Sequence, residues 1–165
     1  MMDRLIERFP AQLAEALEIG QAATLHAHDK PIHKIYVAGL GGSGIGGDFV
    51  AEMVYDECKV PYLVGKGYDI PAYVDEHTMA IISSYSGNTE ETLSAFDQIE
   101  KTGAKVVCIA SGGKVIAKAK EAGYDYIQVP GDWPSPRACL GFSLVQQIFV
   151  LEKLGFFSKT ISGQI

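Results

Sequence analysis

The sequence predicts an α/β domain in which a five-stranded parallel sheet is doubly wound, with helices on both faces. Three observations predict it. Short apolar runs recur along the chain, each separated from the next by a segment with helical spacing. Four of these runs are apolar without clean alternation, as strands buried on both faces must be. Turns rich in glycine and hydroxyl groups follow the first and third runs, where a strand hands over to a helix. The strand order expected for such a fold is the flavodoxin-like 2-1-3-4-5.

Each element has its own warrant. Leu5, Ile6, Phe9, Leu13, Ala16 and Leu17 recur at helical spacing, and Pro10 suits the opening of a second helix. Residues 1–30 therefore form a helical segment ahead of the main domain, residues 31–165. Ile35, Tyr36, Val37 and Ala38 make a short buried strand, followed by a helix over residues 43–55. Residues 60–64 and 79–84 read as the second and third strands, and residues 90–101 as the next helix. Strand four covers residues 105–110, a short helix 114–121, and strand five 124–129. The loop at 130–137 is stiffened by Pro130, Pro134 and Pro136. The last helix, 138–154, is apolar nearly all round and needs cover on more than one side. That surplus predicts a homodimer or tighter self-association.

Composition narrows the function. A net charge of −6 and a pI near 5.1 exclude a broad nucleic-acid surface, so any anion has to be held locally. Cys58, Cys108 and Cys139 are odd in number and lack metal-ligand spacing, which fits a reduced, cytoplasmic setting. No run approaches the roughly 18 apolar residues of a membrane span, and the N-terminus lacks the pattern of a secretory leader.

Two turns carry the chemistry. The first is Gly39-Leu40-Gly41-Gly42-Ser43-Gly44-Ile45-Gly46-Gly47, where glycines let backbone amides approach a ligand at a helix N-terminus of about +0.5 charge. Gly39, Gly41 and Gly44 also match the dinucleotide fingerprint. That reading requires an acid at the end of strand two, where Val64-Gly65-Lys66-Gly67 stands instead, so NAD is not expected. The second turn is Ser83-Ser84-Tyr85-Ser86-Gly87-Asn88-Thr89-Glu90-Glu91-Thr92. Ser84, Ser86 and Thr89 bring hydroxyls, and the amides from Gly87 to Glu90 face the same way. Ser86 or Asn88 is also expected to cap the following helix, with Glu90 and Glu91 complementing its dipole. In the predicted strand order both turns open on one crevice, where a single phosphate meets Ser43, Ser84, Ser86, Thr89 and several backbone amides, those of Gly87 and Asn88 among them.

These two motifs, together with Pro136-Arg137-Ala138, resemble the sugar isomerase (SIS) domain family, specifically the bifunctional phosphoglucose/phosphomannose isomerases. The resemblance runs from about residue 30 to the end. It implies that Gly42, Ser43, Ser84, Ser86 and Thr89 bind a hexose 6-phosphate and that Arg137 lies beside the reacting carbons. It also implies aldose–ketose isomerisation through an enediolate, with no metal or organic cofactor. Family members carry two such domains, and the catalytic carboxylate sits in the second. This chain is therefore expected to be a fragment, one partner of a second chain, or a lone regulatory module that binds sugar phosphates without turnover. His26, His28, His33 and His77 have no evident carboxylate partner in the sequence, and none is expected to act. Lys66 and Lys114 stand near the strand ends as added positive potential or plain solvated charge.

Overall fold

The computed structural model describes residues 2–157, so the last eight positions of the expected domain, 158–165, lie outside the described residues. Its sheet contains β1 (Lys34–Gly39), β2 (Tyr62–Gly65), β3 (Thr78–Ser83), β4 (Lys105–Ala110) and β5 (Asp125–Gln128). All are parallel, in the order β2-β1-β3-β4-β5. Around it stand α1 (Met2–Glu7), α2 (Phe9–Ala22), α3 (Gly41–Met53), α4 (Glu90–Ile99), α5 (Gly113–Ala122) and α6 (Leu140–Lys153). The doubly wound fold and its strand order are as the sequence predicts.

β1, β3 and β4 are apolar along most of their length because both faces are covered. Ile35, Val37, Met79, Ile81, Val107 and Ile109 point into a core shared with α2, α3 and α6. Their neighbours Tyr36, Ala38, Ala80, Ile82, Val106 and Cys108 point the other way, against α4 and α5. Only β5, at an edge, alternates buried and exposed residues. Burial drives the Cys108 thiol up to about 12, so it stays protonated at neutral pH.

Boundaries differ from the expected ones for local reasons. β2 begins at Tyr62 because Pro61 has no N–H to give a ladder. The last helix is preceded by a 3₁₀ turn, Pro136–Cys139, so Arg137 lies in a helical turn and not in an open loop. α6 does not carry the surplus apolar face expected of it: α2 and α3 flank it, and Phe142, Val145, Ile148, Phe149, Val150 and Leu151 are all buried. α2 and α3 thus supply cover for α6 within the chain. The exposed apolar stripe runs instead along α3, at Ile45, Phe49 and Met53, four residues apart and continuous with Leu40.

At the N-terminal ends of the strands, charged groups close the sheet. Lys105 donates to Asp125 at 2.6 Å, while the ring and backbone N–H of His26 both meet the same carboxylate at 2.7 Å. Burial works to raise the Asp125 pKa, but the bonds from His26 and Lys105 outweigh it and hold it below the ordinary range. His28 lies 3.2 Å from Asp29, and its ring also meets Glu76 O at 2.9 Å. His33 stacks on His77 with ring centroids 4.6 Å apart. The expectation that no histidine has a carboxylate partner is thus wrong for His26 and His28. For His26 the partner is 99 residues away, so only the fold reveals the pair.

Asp75 accepts from Lys34 at 2.9 Å, from His77 N at 3.0 Å and from Thr78 at 3.2 Å. The Lys34 bond is the main cause that lowers its pKa from 3.8 to about 2. Its carboxylate therefore stabilises the fold fully above its unfolded value and loses that contribution as pH falls from about 4 to about 2. Acid unfolding followed by circular dichroism should show a flatter stability curve in that window for Asp75→Asn than for the parent chain. An unchanged slope would remove Asp75 from the account of acid stability.

Candidate functional site

Gly39 and Ser83 are registered neighbours at the C-terminal ends of β1 and β3. The two turns therefore start side by side, and α3 and α4 leave on opposite faces of the sheet. Both helix N-termini open between them. Leu40 is the N-cap of α3 and offers no side-chain cap. Thr89 is the N-cap of α4 and likewise makes no cap bond. The leading amides of both helices are left without intrahelical acceptors, as helix geometry requires, and each end carries partial positive charge.

Close packing brings the first turn into place. A Cβ on Gly44 would stand 2.7 Å from Gly39 O, so any larger residue would push α3 off the strand. Ser43, in the first turn of α3, is buried. Behind it runs a polar chain: Tyr62 donates to Gln147 at 2.5 Å, Gln147 donates to Ser143 at 3.0 Å, and Ser143 meets Ser83 at 3.1 Å. Burial raises the Tyr62 phenol well above its ordinary range, so it remains a donor.

The second turn is braced by its own hydroxyls. Ser84 Oγ accepts from Gly87 N at 3.1 Å and lies 2.9 Å from Thr89 Oγ1. Ser86 Oγ accepts from Asn88 N at 3.2 Å. Neither Ser86 nor Asn88 caps α4, contrary to expectation. The Asn88 side chain is turned to α5, where Oδ1 accepts from Lys114 N at 3.1 Å. Glu91 and Glu90 face the Tyr68 hydroxyl and raise its pKa, the Glu91 charge most of all. They complement the α4 terminus, and neither lines the cleft.

The cleft itself has a volume of about 260 Å³ and is lined by Leu40, Gly41, Gly42, Ser43, Tyr85, Ser86, Thr89, Pro136 and Arg137. Of the residues singled out in the sequence, Gly42, Ser43, Ser86, Thr89 and Arg137 meet there. Ser84 and Gly87 lie behind the lining as its support, and Asn88 lies outside it. Arg137 is exposed, and its side chain makes no ion pair or hydrogen bond among the described residues. Lys66 is paired with Asp48, and Lys114 is exposed at the start of α5; neither lines the cleft. Sequence reasoning missed Tyr85, although it stands inside the hydroxyl motif: its OH donates to Pro130 O at 2.9 Å and fastens the loop that carries Arg137. A larger hollow of about 440 Å³ beside β2 is lined by Tyr55, Cys58, Lys59 and Pro61. It adjoins the negative C-terminal end of α3 and is unsuited to an anion. Among the described residues no group of three His, Cys, Asp or Glu side chains is placed to hold a metal ion.

The sequence profile of the SIS domain matches residues 30–149, which include both turns, their strands and Arg137. The chain belongs to the SIS domain family. Among relatives of this SIS domain, a bifunctional phosphoglucose/phosphomannose isomerase of Caldicellulosiruptor bescii is 43% identical over 160 residues, spanning 97% of this chain and 47% of the relative. The enzyme of the same name from Aquifex aeolicus is 40% identical over 122 residues, 73% of this chain and 38% of its own length. The chain thus spans less than half of either relative. In fold, the SIS domain is similar to the C-terminal domain of glucosamine-fructose-6-phosphate aminotransferase from Francisella tularensis, with a TM-score of 0.67 at 16% identity, covering 96% of this chain and 49% of that one. It is also similar to the tagatose-6-phosphate ketose/aldose isomerase from Escherichia coli, with a TM-score of 0.58 at 15% identity, over 95% of this chain and 45% of that one.

Gly87 is the residue on which the second turn of this SIS domain hinges. Its φ is +70°, and a Cβ there would fall 1.9 Å from Gly112 O. Gly87→Ala should therefore cost on the order of 1–3 kcal/mol of stability from backbone strain alone, with the clash in addition, as read by thermal or denaturant unfolding. A variant as stable as the parent would mean that the turn is not held against α5.

Proposed function

We propose that this chain is the phosphate-binding part of an isomerase that interconverts glucose 6-phosphate or mannose 6-phosphate with fructose 6-phosphate. One observation carries the reading: two uncapped helix N-termini, the hydroxyls of Ser43, Ser86 and Thr89, and the unpaired Arg137 converge on one cleft. A phosphate group has acceptor oxygens for all of them. The relatives named as phosphoglucose/phosphomannose isomerases support the same substrate class. Acidic charge and three free cysteines support a cytoplasmic setting.

In this reading the turns hold the phosphate and set the sugar chain against Arg137. Phosphate binding by itself holds ground state and transition state about equally. Arg137 acts on the difference, because its guanidinium faces negative charge as it develops on the enediolate oxygen. A guanidinium offers donors and no acceptor, so Arg137 cannot take the proton that moves between the two carbons. That step needs a base within hydrogen-bond reach, and no carboxylate among the described residues lines the cleft. We assign the base to the portion of the relatives that this chain does not span. The exposed stripe of Ile45, Phe49 and Met53, which leads from Leu40 at the cleft, is the surface that fits a second SIS unit, in the same chain or in a homodimer.

Two outcomes test the proposal. Calorimetry with fructose 6-phosphate should show Ser86→Ala and Thr89→Ala each weakening binding by about 1.5–3 kcal/mol, the contribution of one hydrogen bond to a charged group. Neutral fructose should bind no differently. Equal affinity for the phosphate ester in parent and variants would sink the site. In the second test the purified chain should convert little or no fructose 6-phosphate alone, and should gain turnover when mixed with the complementary portion of a relative. Phe49→Glu should block that gain. Full activity of the isolated chain would overturn the split site, and binding without turnover in the mixture would favour a regulatory module.

A further inference from the structure

The helices ahead of the sheet reach the wall of the cleft through one buried side chain. Gln12 of α2 is 0% exposed, and both ends of its amide are engaged across the fold. Its Nε2 donates to Ala138 O at 2.6 Å, and its Oε1 accepts from Gly141 N at 2.9 Å. Ala138 directly follows Arg137 in the 3₁₀ turn, and Gly141 lies in the first turn of α6. The N-cap of α6, Cys139, offers no side-chain cap. Gln12 takes that role from another helix and satisfies an amide that would otherwise be buried unpaired.

Gly141 is shaped to the same contact. A Cβ there would stand 2.5 Å from Gln12 Oε1, so the absence of a side chain on α6 and the glutamine on α2 are two halves of one fit. On the other side of Arg137, the Arg8 guanidinium lies 4.5 Å from the centre of the Trp133 ring, and Trp133 N donates to Tyr85 OH at 3.3 Å. The Arg137 side chain has no hydrogen-bonding or ionic partner of its own among the described residues. Its position over the cleft is therefore set by the backbone that these contacts hold.

We infer that Gln12 is a positioning residue for Arg137, placing the guanidinium over the sugar portion of a bound hexose phosphate. This rests on the reading of the cleft proposed above. The phosphate turns do not touch Gln12, so its influence falls on the sugar end of the ligand and not on the phosphate end.

The test is a double-mutant cycle on the purified chain, titrated separately with fructose 6-phosphate and with inorganic phosphate. Gln12→Met keeps the volume and removes both hydrogen bonds. It should weaken fructose 6-phosphate binding about two- to tenfold, the range of ordinary hydrogen-bond energies, and leave inorganic phosphate unchanged. In an Arg137→Ala background the same substitution should have no further effect on fructose 6-phosphate, although it lowers the melting temperature equally in both backgrounds. Gly141→Ala, which displaces Gln12 without changing its chemistry, should repeat the pattern and decides the matter if Gln12→Met fails to fold. Undiminished fructose 6-phosphate affinity in the Gln12 and Gly141 variants, an equal loss for inorganic phosphate, or an undiminished loss in the Arg137→Ala background overturns the inference and leaves the site intact. If Arg137→Ala alone leaves fructose 6-phosphate affinity unchanged, the guanidinium gives the bound sugar no contact for Gln12 to position, and the inference is overturned while the phosphate site stands; loss of fructose 6-phosphate binding in neither Ser86→Ala nor Thr89→Ala is what would bring down the reading of the cleft itself.

Discussion

The cleft depends on how closely α3 lies against the end of β1 and along α6. Gly44 leaves no room for a methyl group beside Gly39 O, and a Cβ on Gly46 would stand 2.9 Å from Ser143 Oγ. With α3 seated this deeply, its first amides and Ser43 reach the level of the turn after β3. Because Gly39 and Ser83 share a register, a shift of α3 by even part of a side-chain diameter would separate the two turns. The chain from Tyr62 through Gln147 and Ser143 to Ser83 supports the same contact from behind. A polar chain in the core is tolerable because its members satisfy one another, and it makes the contact between α3 and α6 specific as well as close.

The proposed phosphate site is compatible with an acidic protein because the charges are separated in space. Lys34, Lys105, Lys66 and Lys118 are each paired with carboxylates, the first two at the N-terminal ends of the strands and the others on the surface. The opposite end of β1 and β3 presents two positive helix termini and an unpaired arginine. Charge is thus neutralised at one end and left free at the other. Backbone amides at a helix N-terminus attract an anion without adding to the formal charge, which is why the net charge of −6 does not conflict with phosphate binding.

The wall opposite the turns is built from parts distant in sequence. Tyr85 fastens Pro130 and Trp133, Arg8 covers the Trp133 ring, and Gln12 holds the backbone beside Arg137. α1 and α2 are therefore no mere preface to the sheet. α2 supplies cover that α6 needs, α1 packs on α2 and on the 3₁₀ turn, and Arg8 and Gln12 bring part of the cleft's support with them.

Local patterns made much of this protein legible from its sequence. Apolar runs without alternation identified the buried strands, because both faces of a parallel sheet are covered. The glycines after β1 and the hydroxyls after β3 marked the cleft, because few other roles need those residue types at a strand-to-helix turn. Other features escaped, each for a physical reason. Asn88 reads as a capping or phosphate-binding side chain, yet it caps α5, which is near only in space. His26 reads as unpartnered, yet it meets Asp125 across the sheet edge. The apolar surplus of α6 reads as an interface, yet α2 and α3 cover it within the chain. Nothing in the sequence singles out Gln12, whose partners lie 126 and 129 residues away. By itself the sequence determined where the strands and the two turns lie, through periodicity and residue type. Only the tertiary structure decided which polar side chains are engaged and which face the cleft, because hydrogen bonds between distant segments leave no periodic trace in the chain.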